Sequence, residues 1–149
     1  MIGEGVRWAV PCDACGGTAE NSGGAGVYAG RIEWSIEMDC PACGPRLTEC
    51  GSGSEWLPAE LRARLLAECG PARLLLPGPD VPSVALMKVL RSATGCDLPS
   101  ARAAAERVRR GEWTGILAEV ELLAEQLRAA GIEATARAAS EASEASEGS

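Results

Sequence analysis

Apolar and polar residues alternate strictly from residue 31 to residue 39. A period of two is typical of a β-strand with one buried face and one solvated face. The buried face of this strand would hold Ile32, Trp34, Ile36 and Met38. A shorter alternation over residues 6–10 predicts another strand. Between the two strands, the stretch "TAENSGGAG" has the composition of a loop and is predicted to be one.

From residue 54 onward the apolar period lengthens. Leu61, Leu65 and Cys69 recur every four residues, which predicts a helix that ends at Gly70. The chain then follows the order strand, helix, helix, strand, helix, strand. These predicted elements are "ARLLLPG", "VPSVALMKVLRSAT", "LPSARAAAERVRR", "WTGILA", "EVELLAEQLRAA" and "IEATARA".

Two Cys-x-x-Cys motifs, Cys12 with Cys15 and Cys40 with Cys43, are separated by 24 residues. Each motif follows a predicted strand and is followed directly by a glycine, as in the two knuckles of a zinc ribbon. Four thiolates would complete a tetrahedral zinc site that has no open position for a substrate. We therefore predict that these four cysteines bind one structural Zn²⁺.

Two other uses of the cysteines were weighed. A thiol redox site needs only one motif, usually at the start of a helix, whereas both motifs here border strands. A disulfide framework is disfavoured by the odd number of cysteines, seven. Of the remaining three, Cys50 is predicted to be a semi-exposed thiol, Cys69 a core residue, and Cys96 a turn residue with no evident partner.

The composition and the charge of the chain disfavour several classes of function. The chain has no histidine, which excludes Ser-His-Asp and Cys-His catalysis, and we expect no enzyme. The formal net charge is −7, and residues 1–55 hold eight acidic and three basic side chains, so nucleic acid is an unlikely partner. No apolar run is long enough to span a membrane and no signal peptide is visible, which predicts a cytoplasmic protein.

Biased composition is evident in the last residues of the chain and in the chain as a whole. The last ten residues, "SEASEASEGS", contain no apolar side chain larger than alanine and are predicted to be a disordered acidic tail. Abundant Ala, Gly and Arg with one lysine and no phenylalanine is typical of a GC-rich bacterial genome. The predicted organisation is a zinc-ribbon module over 1–53, a connecting helix over 54–70, an α+β domain over 71–139 and the tail over 140–149.

The stretch "VALMKVLRSATGCDLPSARAAAERV" resembles the C-terminal domain of the bacterial ribosomal stalk protein. That family also has a helix ending in basic residues, an A-T-G turn and an alanine-rich helix that begins with leucine. "LAEQLRAAGIEATA" is similar to the family's last helix and strand, so the match covers about residues 72–138. The resemblance implies a three-stranded antiparallel sheet covered by three helices in the order βααβαβ, a fold that the Clp protease adaptor shares.

In the stalk family this helix pair recruits translation factors through basic and apolar side chains. The resemblance places the corresponding partner surface at Val84, Met87, Lys88, Arg91, Gly95 and Arg102. This sequence departs from the family at Ser83, where a lysine is expected, and at Cys96-Asp97, which replaces a Leu-Gly pair. The cysteine module stands in place of the stalk protein's dimerisation segment and hinge, so we do not expect a stalk subunit.

The sequence therefore favours an α+β, zinc-stabilised protein that binds another protein without catalysis. A translation factor or a toxin would be a compatible partner, bound at the helix pair or at the solvated face of the 31–39 strand. Two other functions stay open: an immunity or antitoxin-like inhibitor of a partner protein, and a nucleic-acid-binding regulator built on the zinc ribbon. The negative charge of the first module opposes the latter.

Overall fold

The computed structural model describes residues 2–139, and the predicted acidic tail lies outside them. The chain divides into two compact units between Cys69 and Gly70. The first unit holds a four-stranded antiparallel sheet, and the second a three-stranded sheet with three helices. The predicted α+β class is thus confirmed. None of the helices in the described part of the chain is long and apolar enough to cross a membrane.

The sheet of the first unit is a meander in which each strand pairs with the next one along the chain. The helix that the pattern predicts as a connector packs against the first two strands, because Leu61 and Leu65 form a buried stripe on it. The elements are β1 (Ile2–Pro11), β2 (Thr18–Tyr28), β3 (Arg31–Cys40), β4 (Gly44–Ser52), a 3-10 turn (Ser54–Trp56) and α1 (Ala59–Cys69).

The alternation in β3 separates a buried face from a more exposed face, as the sequence predicts. All four apolar side chains of this strand are at least nine-tenths buried, and the residues between them are exposed or half-buried. Strand register places Ile36 beside Gly23 of β2, which lies opposite Val6 of β1. The first sheet therefore has one covered face, on which α1 lies, and one solvent-exposed face.

The glycine-rich stretch predicted to be a loop is instead β2, a central strand that pairs with β1 and β3 along its length. Glycine is used here because neighbouring groups approach the strand closely. A Cβ at Gly23 would lie 2.6 Å from Cδ1 of Leu61 and 3.0 Å from the ring of Trp8. Strand β4 follows the second Cys-x-x-Cys motif and extends as far as Ser52.

The second unit has the predicted order βααβαβ, which is confirmed. Its sheet has the strand order β6-β5-β7, and both strand pairs are antiparallel. Strands β6 and β7 are shorter than the segments that the sequence pattern predicts. The elements are β5 (Ala72–Leu75), α2 (Ser83–Thr94), α3 (Leu98–Arg109), β6 (Thr114–Gly115), α4 (Leu117–Ala129) and β7 (Thr135–Arg137).

The turn between α2 and α3 is fixed by local backbone chemistry. Gly95 ends α2 in the left-handed region, at a φ of 69°, where a side chain would be strained. The carboxylate of Asp97 then caps α3 by accepting a hydrogen bond from the Ser100 N–H at 2.9 Å. Hydrogen bonding to the Ser100 side chain, together with this backbone bond, lowers the pKa of Asp97. The two helices are thereby held as an antiparallel pair above the core of the unit.

Candidate metal centre

The four predicted ligands meet at one end of the first sheet. Cys12 and Cys15 lie in the β1–β2 connection, while Cys40 ends β3 and Cys43 lies just before β4. Because the strands form an antiparallel meander, these two connections lie side by side at the same end of the sheet. The four Sγ atoms all lie within 4.8 Å of one another, so the structure brings the whole predicted set together.

The spacing of the sulfurs fits a tetrahedral metal ion. A Zn–S bond of about 2.3 Å places the sulfurs of a tetrahedral site about 3.8 Å apart. The Sγ atoms of Cys15 and Cys40 are separated by 3.6 Å, and those of Cys12 and Cys43 by 3.9 Å. Each of these two short contacts joins one knuckle to the other, so a metal ion at the centre would tie the two connections together.

Glycines shape the two knuckles as predicted. Gly16 and Gly44 have φ values of 75° and 87°, in the left-handed region that glycine adopts without strain. The Gly16 N–H donates to the carbonyl of Cys12 at 2.8 Å and closes the first turn. In this turn the N–H groups of Cys15 and Ala14 point at the Cys12 sulfur and lower its pKa to about 7.

The thiols of Cys15 and Cys43 resist ionisation because neighbouring sulfurs raise the pKa of each. Hydrogen-bond contact with the Cys15 thiol, reinforced by Cys12 and Cys40, raises the pKa of Cys43 to about 12. The Gly17 N–H lowers the pKa of Cys15, but the contacts with Cys40 and Cys12 outweigh it and raise the pKa overall. Thiolates at this spacing repel one another, and a cation bound among them would relieve that repulsion, as in a metal site.

The centre has one covered side and one side in water. Cys12 and Cys40 are 2% and 3% exposed and pack with Ala19 and Met38, whereas Cys15 and Cys43 are exposed. Sulfur ligands select soft or borderline metals such as zinc, copper(I) or iron over magnesium and calcium. The geometry thus defines a site for a thiophilic metal ion.

The other three cysteines lie apart from this cluster. Cys50 is exposed on β4, as predicted. Cys69 is half-buried with its Sγ 3.8 Å from the carbonyl oxygen of Gly5, and burial raises the pKa of its thiol. Cys96 is half-buried in the turn between α2 and α3.

The predicted partner surface forms a groove in the second unit. Five of its six residues line one cavity of about 530 Å³ between α2 and α3. These five are Val84, Met87, Lys88, Arg91 and Gly95, and Ser92, Cys96 and Leu98 complete the lining. Arg102, the sixth, is exposed on α3 but does not line the cavity.

Sequence reasoning missed three of the groove residues, Ser92, Cys96 and Leu98, and Leu98 is the large apolar one among them. Its spacing from Ala101, Ala105 and Val108 suggests a common buried face, yet Leu98 is 50% exposed while the other three are buried. It is the first residue of α3, directly after the Asp97 cap, where the helix begins beyond the edge of the core. Its position directly after the capping residue Asp97 is the sequence feature that could have predicted its exposure.

Comparison of the chain with protein-family models, with curated proteins and with solved structures finds no match. The metal cluster and the groove therefore carry the functional interpretation by themselves.

The pKa values predict that metal binding depends on pH. Protons remain on Cys15 and Cys43 at neutral pH in the metal-free protein, so a bound metal ion must displace them. Affinity for Zn²⁺ should therefore rise as the pH increases from 6 to 8, by roughly tenfold per pH unit for each proton released. Calorimetry of Zn²⁺ binding in buffers of different ionisation enthalpy measures this release. An affinity that does not change with pH would contradict it.

Proposed function

We propose that this chain is a non-catalytic, zinc-stabilised protein that binds another protein through the groove between α2 and α3. The observation that carries the proposal is the pairing of large exposed apolar side chains with cations in that groove. Val84 is 80% exposed and Leu98 is 50% exposed, and Lys88 and Arg91 lie beside them. Apolar surface rimmed by polar groups is typical of protein interaction sites.

Zinc is the metal that suits this site best. The chain itself supplies four sulfurs, which closes a tetrahedral zinc site and leaves no position at which the metal could act on a substrate. Structural zinc sites contribute about 10–16 kcal/mol of apparent binding free energy, comparable to the whole stability of a small domain. Zinc bound here would therefore stabilise the first sheet rather than perform chemistry.

The groove also indicates the kind of surface that it binds. Val84, Met87 and Leu98 would be covered by apolar side chains of a partner, and the two cations would pair with its carboxylates. An apolar segment flanked by acidic residues meets both conditions. The resemblance to the ribosomal stalk domain supports a translation factor as one such partner, and a toxin bound by an immunity-type inhibitor would use the same chemistry.

A ligand substitution tests the structural role of the metal. Cys40→Ser removes one buried thiolate, so we expect loss of the single bound zinc and loss of dispersed amide signals from residues 2–53 in NMR spectra. Cys50→Ser is the matched control, since Cys50 is exposed and lies outside the cluster, and it should keep both. The structural role is wrong if Cys40→Ser loses zinc and its spectrum is otherwise unchanged.

Charge reversal tests the groove. In affinity capture from a GC-rich bacterium, the double variant Lys88→Glu/Arg91→Glu should recover its main partner at least about tenfold less well than wild type, because two rim cations become anions. Arg110→Glu is the control, since Arg110 is exposed and does not line the groove. Arg102→Glu should have the smaller effect of a residue outside the groove. Equal recovery by the double variant and wild type would refute this docking site.

A further inference from the structure

The four cysteines of the metal centre differ in their access to solvent. Cys15 and Cys43, the second cysteines of their motifs, are exposed. Cys12 and Cys40, the first cysteines, are buried. Oxidation of a cysteine depends on its exposure and on its thiolate character, and a cysteine that binds zinc is a thiolate. An oxidant dissolved in water therefore meets one exposed thiolate in each motif.

A buried sulfur of the opposite motif lies close to each exposed sulfur. The Sγ atoms of Cys15 and Cys40 are 3.6 Å apart, and those of Cys43 and Cys12 are 3.9 Å apart. A disulfide bond is about 2.05 Å long, so the sulfurs of each pair need to approach by roughly 2 Å or less to form one. Cys40 and Cys12 therefore lie where resolving cysteines are needed, next to the thiols that an oxidant reaches first.

Each of these two pairs joins one connection of the first sheet to the other. Cys12 and Cys15 lie in the β1–β2 connection, and Cys40 and Cys43 lie at the β3–β4 connection. A disulfide in either pair would therefore link the two connections, as a shared metal ion would. Disulfides inside the motifs would instead leave the two connections unlinked.

The other two cysteines of the first unit are too far away to compete. Cys50 follows Gly44 by six residues along β4, which places it roughly 20 Å from the cluster end of that strand. Cys69 lies beside Gly5, which precedes Cys12 by seven residues in the direction of β1. Neither cysteine belongs to the group of four clustered sulfurs. Resolution of an oxidised sulfur in the cluster therefore falls to the cluster itself.

We propose that the cysteine cluster exchanges its metal ion for two disulfides when it meets hydrogen peroxide. The disulfides join Cys15 with Cys40 and Cys12 with Cys43. In each pair the exposed thiolate attacks one oxygen of the peroxide, becomes a sulfenic acid and releases hydroxide. The buried thiolate then attacks that sulfur, which forms the S–S bond and releases a second hydroxide. Each disulfide thus consumes two thiolates and one peroxide, whose O–O bond is reduced.

Oxidation in this way changes the ligand set and keeps the link between the two connections. Sulfurs in disulfides are no longer thiolates, so the cluster loses its metal ion. The two new bonds join the same two connections, and the first sheet therefore stays folded without the metal. Because a bound metal ion is what is released, the proposal rests on the proposed function, whereas the pairing of the cysteines depends only on the positions of their sulfurs.

Peptide mapping of the oxidised full chain tests the pairing. Zinc-loaded protein is treated with one equivalent of hydrogen peroxide per expected disulfide, alkylated, and digested with trypsin without reduction. Cleavage after Arg31 separates the two motifs onto peptides 8–31 and 32–46. We expect these peptides to be joined by two disulfides, with tandem mass spectra that assign the two proposed pairs. Separate peptides with internal disulfides, alkylated thiols, or any other pairing would overturn the proposal.

Metal release and folding are measured on the same samples. A chromogenic chelator should detect one zinc ion released per chain as the two disulfides form. The dispersed amide NMR signals of residues 2–53 should persist in the oxidised, metal-free chain, because the disulfides replace the metal as the link. The same signals should be lost when EDTA removes zinc from the reduced chain. Loss of dispersion in the oxidised chain would refute the exchange.

Two controls separate this proposal from the proposed function. Cys50→Ser should give the same peptide map and the same zinc release, and a disulfide that includes Cys50 in the wild-type chain would refute the assigned pairs. Zinc content is measured before peroxide is added. A chain that binds no zinc contradicts the proposed function, and the peptide map of that metal-free chain still decides the pairing. A zinc-loaded chain that forms other disulfides refutes the exchange alone.

Discussion

The close approach of four cysteine sulfurs at one end of the first sheet is the constraint that dominates the first unit. The antiparallel meander brings two hairpin connections to the same end of the sheet, and the neighbouring sulfurs there raise the pKa of Cys43 to about 12. The central strand beside them contributes little apolar bulk, because it is rich in glycine. A metal ion held by the four cysteines would supply cohesion that this small core lacks.

The sequence predicted those parts of the fold that rest on strong local patterns. The strict period of two predicted β3, and the two identical Cys-x-x-Cys motifs predicted the cysteine cluster. Both predictions rest on a regular spacing of residues along the chain. Strand β2 was not predicted because a residue such as Gly23 is favoured by close contact with Leu61, which is distant in sequence, and with Trp8 of another strand. The local composition of a glycine-rich segment indicates a loop, and the strand becomes evident only from contacts with residues elsewhere in the chain.

The groove residues were predicted from a resemblance and not from the pattern of the helices. That resemblance named five of the residues that line the groove. It did not name Leu98, which is 50% exposed although its spacing matches the buried face of α3.

The central claim is that the four clustered cysteines hold a single zinc ion that stabilises the first unit. X-ray absorption at the zinc edge of the purified full chain tests it most directly, because the spectrum reports the type, number and distance of the ligand atoms. Four sulfur neighbours at about 2.3 Å are expected. A shell containing oxygen or nitrogen ligands, or protein that is natively folded with no bound zinc, would contradict it.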